Sequence, residues 1–326
     1  MPETERLLLI GGARAARVTS ACSGSLAARA LGVCALIVSG TFSCSTMPTG
    51  PSSGAEFVVA DRSDAGPGLA LVNIGGTEYR RIAGPGGDPV WLPDGQRVAF
   101  WRIDEQFLSR VWITDLTPPE HALVPDGGPL VQQKTPQASP DGQWLYVMAC
   151  DTDPPLCDFE LWRVKVSDTD AGLVAEKVPV VPPPGHTAIV LKLHDVGRDG
   201  RLLVEYFTQS LATGEHRVLL AALEPATGAV TDLPVYGESA RWSPDMTQIA
   251  YVSDMHLYIG PADGGPSREV HAEEPTGYEP GLSWSPDGRF LLARAIGGLH
   301  LIDVQGAIAT PLTFAGALYE PTWRPR

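Results

Sequence analysis

Short apolar runs recur from residue 56 to the C-terminus, each following a cluster of turn residues. Val98-Ala99-Phe100, Leu145-Tyr146-Val147, Leu202-Leu203-Val204, Ile249-Ala250-Tyr251 and Phe290-Leu291-Leu292-Ala293 are the clearest. Runs of this length, rich in β-branched and aromatic residues and bounded by Gly, Pro and Asp, predict strands. After each run come a polar loop and a second strand, such as Arg110-Val111-Trp112-Ile113-Thr114, Glu160-Leu161-Trp162-Arg163-Val164 or Met255-His256-Leu257-Tyr258-Ile259. A fourth short strand closes each unit, as in His121-Ala122-Leu123-Val124 and Thr310-Pro311-Leu312-Thr313-Phe314. Pro311 fits an outer edge, where a missing donor costs little.

The turns ahead of these runs repeat. Trp284-Ser285-Pro286-Asp287-Gly288, Trp242-Ser243-Pro244-Asp245-Met246, Trp91-Leu92-Pro93-Asp94-Gly95 and Ala138-Ser139-Pro140-Asp141-Gly142 are four copies. Val196-Gly197-Arg198-Asp199-Gly200 is a worn fifth, and the chain ends on Trp323-Arg324-Pro325-Arg326. Pro fixes φ and Asp-Gly supplies the reversal between two short strands. The Pro-equivalent positions 93, 140, 198, 244, 286 and 325 are spaced by 47, 58, 46, 42 and 39 residues. A period of about 40–45 residues is that of a four-stranded blade. Such a sheet leaves both faces bare, and stacking in a ring buries them. The C-terminal Glu320-Pro321-Thr322-Trp323 reads as an innermost strand without successors. Glu56-Phe57-Val58-Val59-Ala60 reads as the successor without an innermost strand. Joined, they complete a blade and leave no open edge. The expectation is an all-β, six-bladed β-propeller over residues 55–326. Five blades would result if the worn copy is no blade, and seven if the long 140–198 unit hides one.

The repeats resemble those of TolB-type propellers, whose hallmark is Pro-x-Trp-Ser-Pro-Asp-Gly followed by an apolar strand. The resemblance spans residues 54–326. Met246 replaces the turn Gly, and Arg198 the turn Pro. TolB proper also carries an N-terminal α/β domain, for which the residues ahead of 55 leave no room. The resemblance therefore implies a docking platform rather than a place in the Tol–Pal system.

Residues 1–43 read as an export signal. Arg6, Arg14, Arg17 and Arg29 precede or enter a short apolar segment, Leu31–Gly40, too short for a membrane span. Thr41-Phe42-Ser43-Cys44 resembles a lipobox, which makes Cys44 the lipidated N-terminus and residues 44–54 a flexible tether. The implied location is the cell envelope, periplasm or cell surface, with the membrane met only through the lipid. Cys150 and Cys157 then remain, seven residues apart, and an oxidising compartment favours a disulfide over a metal pair.

The chain carries a net charge of −14. Past residue 43 it holds 20 basic and 36 acidic residues, a net of −16. That field disfavours nucleic acid and suits a basic partner. No His-Glu-x-x-His, no Gly-x-Ser-x-Gly elbow between a strand and a helix, and no phosphate loop is found. His121, His186, His194, His216, His256, His271 and His300 fall on different blades, mostly on outer strands or loops, which predicts surface rather than a metal site. No catalytic residue and no cofactor is expected. Acidic residues do recur just ahead of innermost strands: Asp88, Glu238, Glu279 and Glu320. Thr135 and Leu193 fill the matching places in the third and fourth blades. Loops between second and third strands are acidic too, with Asp61, Asp64, Asp104, Glu105, Asp151, Asp153 and Asp158. Both sets belong at one mouth of the central tunnel. The expectation is a monomeric, non-catalytic module that binds a basic protein or peptide there. The competing readings are a propeller hydrolase or lyase acting on peptides or saccharides, and an accessory to a separate hydrolase.

Overall fold

The computed structural model describes residues 56–62, 67–117, 119–123, 128–152, 157–166, 174–270, 277–306, 308–312 and 318–325. The export signal, Cys44, the tether, Asp64, Asp153 and His271 lie outside them. Twenty-four strands among the described residues form six four-stranded antiparallel sheets. The first blade takes β1 (Glu56–Asp61), β2 (Gly68–Asn73) and β3 (Tyr79–Ala83). The second holds β4 (Gly87–Trp91), β5 (Val98–Ile103), β6 (Ser109–Thr114) and β7 (His121–Ala122). The third holds β8 (Gln132–Ala138), β9 (Trp144–Cys150), β10 (Glu160–Lys165) and β11 (Ala175–Lys177). The worn repeat builds a full fourth blade from β12 (His186–Val196), β13 (Leu202–Ser210), β14 (His216–Leu223) and β15 (Val230–Asp232). The fifth has β16 (Glu238–Trp242), β17 (Gln248–Ser253), β18 (His256–Pro261) and β19 (Arg268–Val270). The sixth has β20 (Tyr278–Trp284), β21 (Phe290–Ala295), β22 (Gly298–Asp303) and β23 (Ile308–Leu312). The last strand, β24 (Leu318–Trp323), pairs with β1 and gives the first blade its innermost strand. The blades number six, and both ends of the described chain meet in one sheet.

The repeated tetrad has a local physical reason. In Ser139-Pro140-Asp141-Gly142 the Gly N–H donates to the Ser carbonyl (2.9 Å), closing the turn. The Ser hydroxyl donates to Asp141 Oδ1 (2.5 Å) and accepts the N–H of Trp144 (2.9 Å). Ser243 and Ser285 repeat both bonds with Asp245 and Gln248, and with Asp287 and Phe290. One buried hydroxyl therefore ties the turn to the start of the second strand. The turn's last residue has φ of +64° to +88° in the four Gly copies, and Met246 takes +61°. Met246 there carries the strain that Gly avoids.

Burial follows from ring packing. Six hydrophobic clusters each join two neighbouring blades. In β1, Phe57 and Val59 face the sixth blade, and Val58 and Ala60 face the second. The period of two thus sends alternate residues into different clusters, and the strand reads as continuously apolar because both faces are covered. The turn Trp residues stitch blades together: Trp91 Nε1 donates to the Thr322 carbonyl and Trp284 Nε1 to that of Arg241, each at 3.1 Å.

Candidate functional site

The innermost strands surround a tunnel of about 590 Å³ lined from all six blades. Each innermost strand breaks register just before its last residues. In five blades the residue three before the last position of the strand has positive φ: Asp88 (45°), Thr135 (49°), Ser239 (50°), Gly281 (138°) and Glu320 (51°). A bulge with a left-handed residue bends the strand and re-aims its side chains. The bend recurs whatever the side chain, so the architecture requires it. The side chain that it displays is free to vary.

This register corrects the acidic ring expected from sequence. Counted back from the strand ends, the equivalent places hold Asp88, Thr135, Leu193, Ser239, Gly281 and Glu320. Glu238 stands one residue earlier and Glu279 two. Only Asp88 and Glu320 occupy the ring itself, on adjacent blades. They touch: the Asp88 N–H donates to Glu320 Oε2 at 2.7 Å. Trp101 Nε1 holds Asp88 Oδ2 at 2.9 Å. Burial, and then the neighbouring Asp88, push the Glu320 carboxyl above its ordinary range, while Arg62 (3.7 Å) and Arg294 oppose this. The guanidinium groups of Arg62 and Arg294 also lie over the Tyr319 ring, 4.9 and 3.6 Å from its centre.

The other expected residues divide. Glu279 pairs with Arg294 at 2.7 Å, beside the ring. Glu238 is exposed at the same mouth. Asp104 is absorbed in its own loop: Oδ1 accepts the N–H groups of Gln106 and Leu108 at 2.9 Å, and Oδ2 meets Arg110 Nε at 2.5 Å. Glu105, Asp151 and Asp158 are exposed. Cys150 and Cys157 are bonded, with Cα atoms 5.6 Å apart.

Sequence reasoning missed a second group deeper in the tunnel. One residue before the ends of the innermost strands stand Val90, Gln137, Asp195, Arg241, Ser283 and Thr322. Asp195 Oδ2 accepts the Trp242 N–H at 2.9 Å, as Ser283 Oγ accepts that of Trp323 at 3.0 Å. Burial raises the Asp195 carboxyl to about 6, against the pull of Arg241 and the bonds from Trp242 and Val196. Next to it, His194 corrects the expectation of surface histidines, as does His300 on β22. They are 1% and 8% exposed. Burial, then Lys192 and Arg241, hold His194 well below its ordinary pKa. Neither of its ring nitrogens has a hydrogen-bond partner, and Nε2 lies 3.8 Å from Glu205. Burial also raises Glu205. Among the described residues, no cluster of three or more His, Cys, Asp or Glu is placed to hold a metal ion. The tunnel thus presents a carboxylate pair at one wall of its mouth, with Asp195 and Arg241 on adjacent innermost strands further in.

No protein-family model matches the chain, and no curated protein matches its sequence. Solved structures do. TolB from Acinetobacter baumannii matches with a TM-score of 0.62 at 18% identity, over 83% of this chain and 67% of that one. A putative TolB from Agrobacterium tumefaciens matches at 0.56 and 13% identity, over 83% and 92%. A puromycin hydrolase matches at 0.51 and 19% identity, over 82% of this chain but 46% of its own. At such identities the likeness establishes the fold alone: the chain is a six-bladed β-propeller of the architecture seen in TolB.

Proposed function

We propose that this propeller is a non-catalytic binding module, and that its acidic tunnel mouth receives a basic segment of a protein partner. One observation carries this reading. Asp88 and Glu320 are brought side by side at a bulge that the fold repeats with uncharged residues in other blades. Burial first, and then repulsion by the neighbouring Asp88, disfavour the ionised Glu320 carboxyl in the empty protein and raise its pKa. An incoming ammonium or guanidinium group relieves that repulsion. The flanking Glu238, Glu279, Glu105 and Asp151 extend the negative field and favour encounter. In the same reading Cys44 carries a lipid and the module works at the cell envelope. Intact mass spectrometry of the mature chain checks this, because an unmodified N-terminus elsewhere contradicts the anchor.

The binding test uses the propeller as bait on detergent-solubilised envelope of the native cell, across a salt series. Basic partners retained by the parent should bind Asp88→Asn/Glu320→Gln roughly tenfold more weakly, as for loss of about 1.4 kcal/mol. The salt dependence should flatten as well. Equal retention and equal salt dependence would place the binding face elsewhere.

A further inference from the structure

The fourth blade is taller than the others. Its innermost strand β12 runs for 11 residues, where the other innermost strands run for 5 to 7. On the face toward the third blade, apolar packing reaches Ala188, Tyr206 and Leu219. The register puts Thr208 opposite both Ala188 and Arg217, and Ser210 opposite His186, so these four continue the same face. With Glu215 and His216 they line a cleft of about 360 Å³ that shares no lining residue with the tunnel. We propose that this cleft binds a phosphate group, either the free ion or a small monoester. The site is independent of the tunnel reading.

The chemistry of the cleft is an excess of donors without acceptors. Thr208 is 3% exposed, and its hydroxyl has no hydrogen-bond partner within the protein. A buried hydroxyl is costly to leave unmet. Ser210 Oγ accepts the N–H groups of Ala212 and Thr213, each at 3.3 Å, so its own hydrogen still needs an acceptor. Arg217 is exposed and makes no ion pair among the described residues. Long and unheld, it can turn onto a group seated over its neighbour Thr208. His186 Nδ1 meets the Pro184 carbonyl at 3.0 Å and therefore donates there. That bond leaves Nε2 to accept a P–OH proton or, once protonated, to donate to an oxygen.

Charge and geometry then select the ligand. Glu215 is the one acidic side chain among the lining residues, and Thr213 Oγ1 donates to its Oε2 at 3.4 Å, within its own loop. In a chain of net charge −14, this wall carries Arg217 and two histidines against that single carboxylate. The donors stand on three different strands. A carboxylate offers two oxygens in one plane, whereas a phosphate offers acceptors in tetrahedral directions and suits a guanidinium fork besides.

The test is calorimetric titration of the full chain, in phosphate-free buffer, with inorganic phosphate, glycerol 3-phosphate and acetate. The two phosphates should saturate one site and acetate should bind at least tenfold more weakly. A tighter glycerol 3-phosphate would identify an ester as the ligand, and a tighter inorganic phosphate the free ion. Arg217→Ala should weaken phosphate roughly tenfold, as for loss of a charge-assisted bond. Thr208→Val keeps the shape and removes the unmet hydroxyl. It should weaken phosphate several-fold while its melting temperature equals or exceeds that of the parent, a combination that a purely structural Thr208 would not give. Should Thr208→Val fail to fold, Ser210→Ala should weaken phosphate in its place. The proposal is overturned if neither phosphate saturates, if acetate binds as tightly, or if Arg217→Ala leaves the affinity unchanged.

Discussion

Removing Glu320–Arg326 should unfold the whole propeller rather than fray its end. Those residues supply most of β24, whose Thr322 and Trp323 pair with Val58 and Phe57 of β1. Trp323 is 6% exposed and packs on Phe57 with ring centres 6.0 Å apart, inside the cluster that joins the sixth and first blades. Losing one such buried aromatic alone costs about 3–5 kcal/mol. The truncation also removes the acceptor of Trp91 Nε1, the bond from the Arg324 N–H to the Glu56 carbonyl (3.0 Å) and that from Arg324 Nε to the Gly95 carbonyl (2.8 Å). It leaves the inner edge of β1 unpaired. The total approaches the entire stability of an ordinary domain, about 5–15 kcal/mol. Circular dichroism melting should therefore show no cooperative transition, and Trp323→Ala should melt well below the parent. A truncated chain that melts like the parent would refute closure by β24.

Asp195 should set a pH dependence of opposite sign to that of ordinary carboxylates. Its folded pKa of about 6 lies above the ordinary 3.8. The folded state therefore holds the proton more tightly. The stabilisation is complete below the unfolded pKa and is lost as pH rises through the folded one. The loss approaches 3 kcal/mol, from about 1.4 kcal/mol for each tenfold difference in proton affinity between the folded and unfolded chain. Asp195→Asn removes the titration but can keep only one of the two bonds accepted from Trp242 and Val196, at a cost of about 1 kcal/mol. The variant should be more stable than the parent by about 1–2 kcal/mol at pH 7–8, with the advantage vanishing or reversing between pH 6 and 4. His194 acts in the other direction: its depressed pKa gives stability above the ordinary 6.5 that falls away in acid. Comparing parent with variant cancels that contribution. Denaturant unfolding at several pH values measures the difference. A gap between the two that does not change with pH would show that Asp195 is ionised throughout.

The fold was largely legible because its rules are local and repeated. The turn tetrads mark each blade, and the incomplete ends at Glu56 and Glu320 are complementary. The site was less so. Glu279-Pro280 looks like Glu320-Pro321, yet it stands two residues further from its strand end, so Gly281 takes the bulge and Glu279 falls out of the ring. Counting back from the turn Trp, rather than matching acid-Pro pairs, identifies Asp88 and Glu320. Asp195 was hidden because its blade has lost the Trp and Pro that fix the count, having Val196 and Arg198 instead. Asp104 looked like a surface charge, and only its three partners reveal a loop-forming role. Pairings of this kind depend on which chains meet across the ring, which a single strand's pattern does not encode.

Site-specific photo-crosslinking tests directly which end of the tunnel meets a partner. Benzoylphenylalanine would replace Glu105 or Tyr236, both exposed at the acidic mouth, or Gln96 or Thr247, both exposed in turns at the opposite end. After irradiation in native envelope, adducts should form from positions 105 and 236 and be lost on adding Asp88→Asn/Glu320→Gln. Positions 96 and 247 should stay free. Adducts from positions 96 and 247 alone would contradict the assignment of the acidic mouth as the binding face.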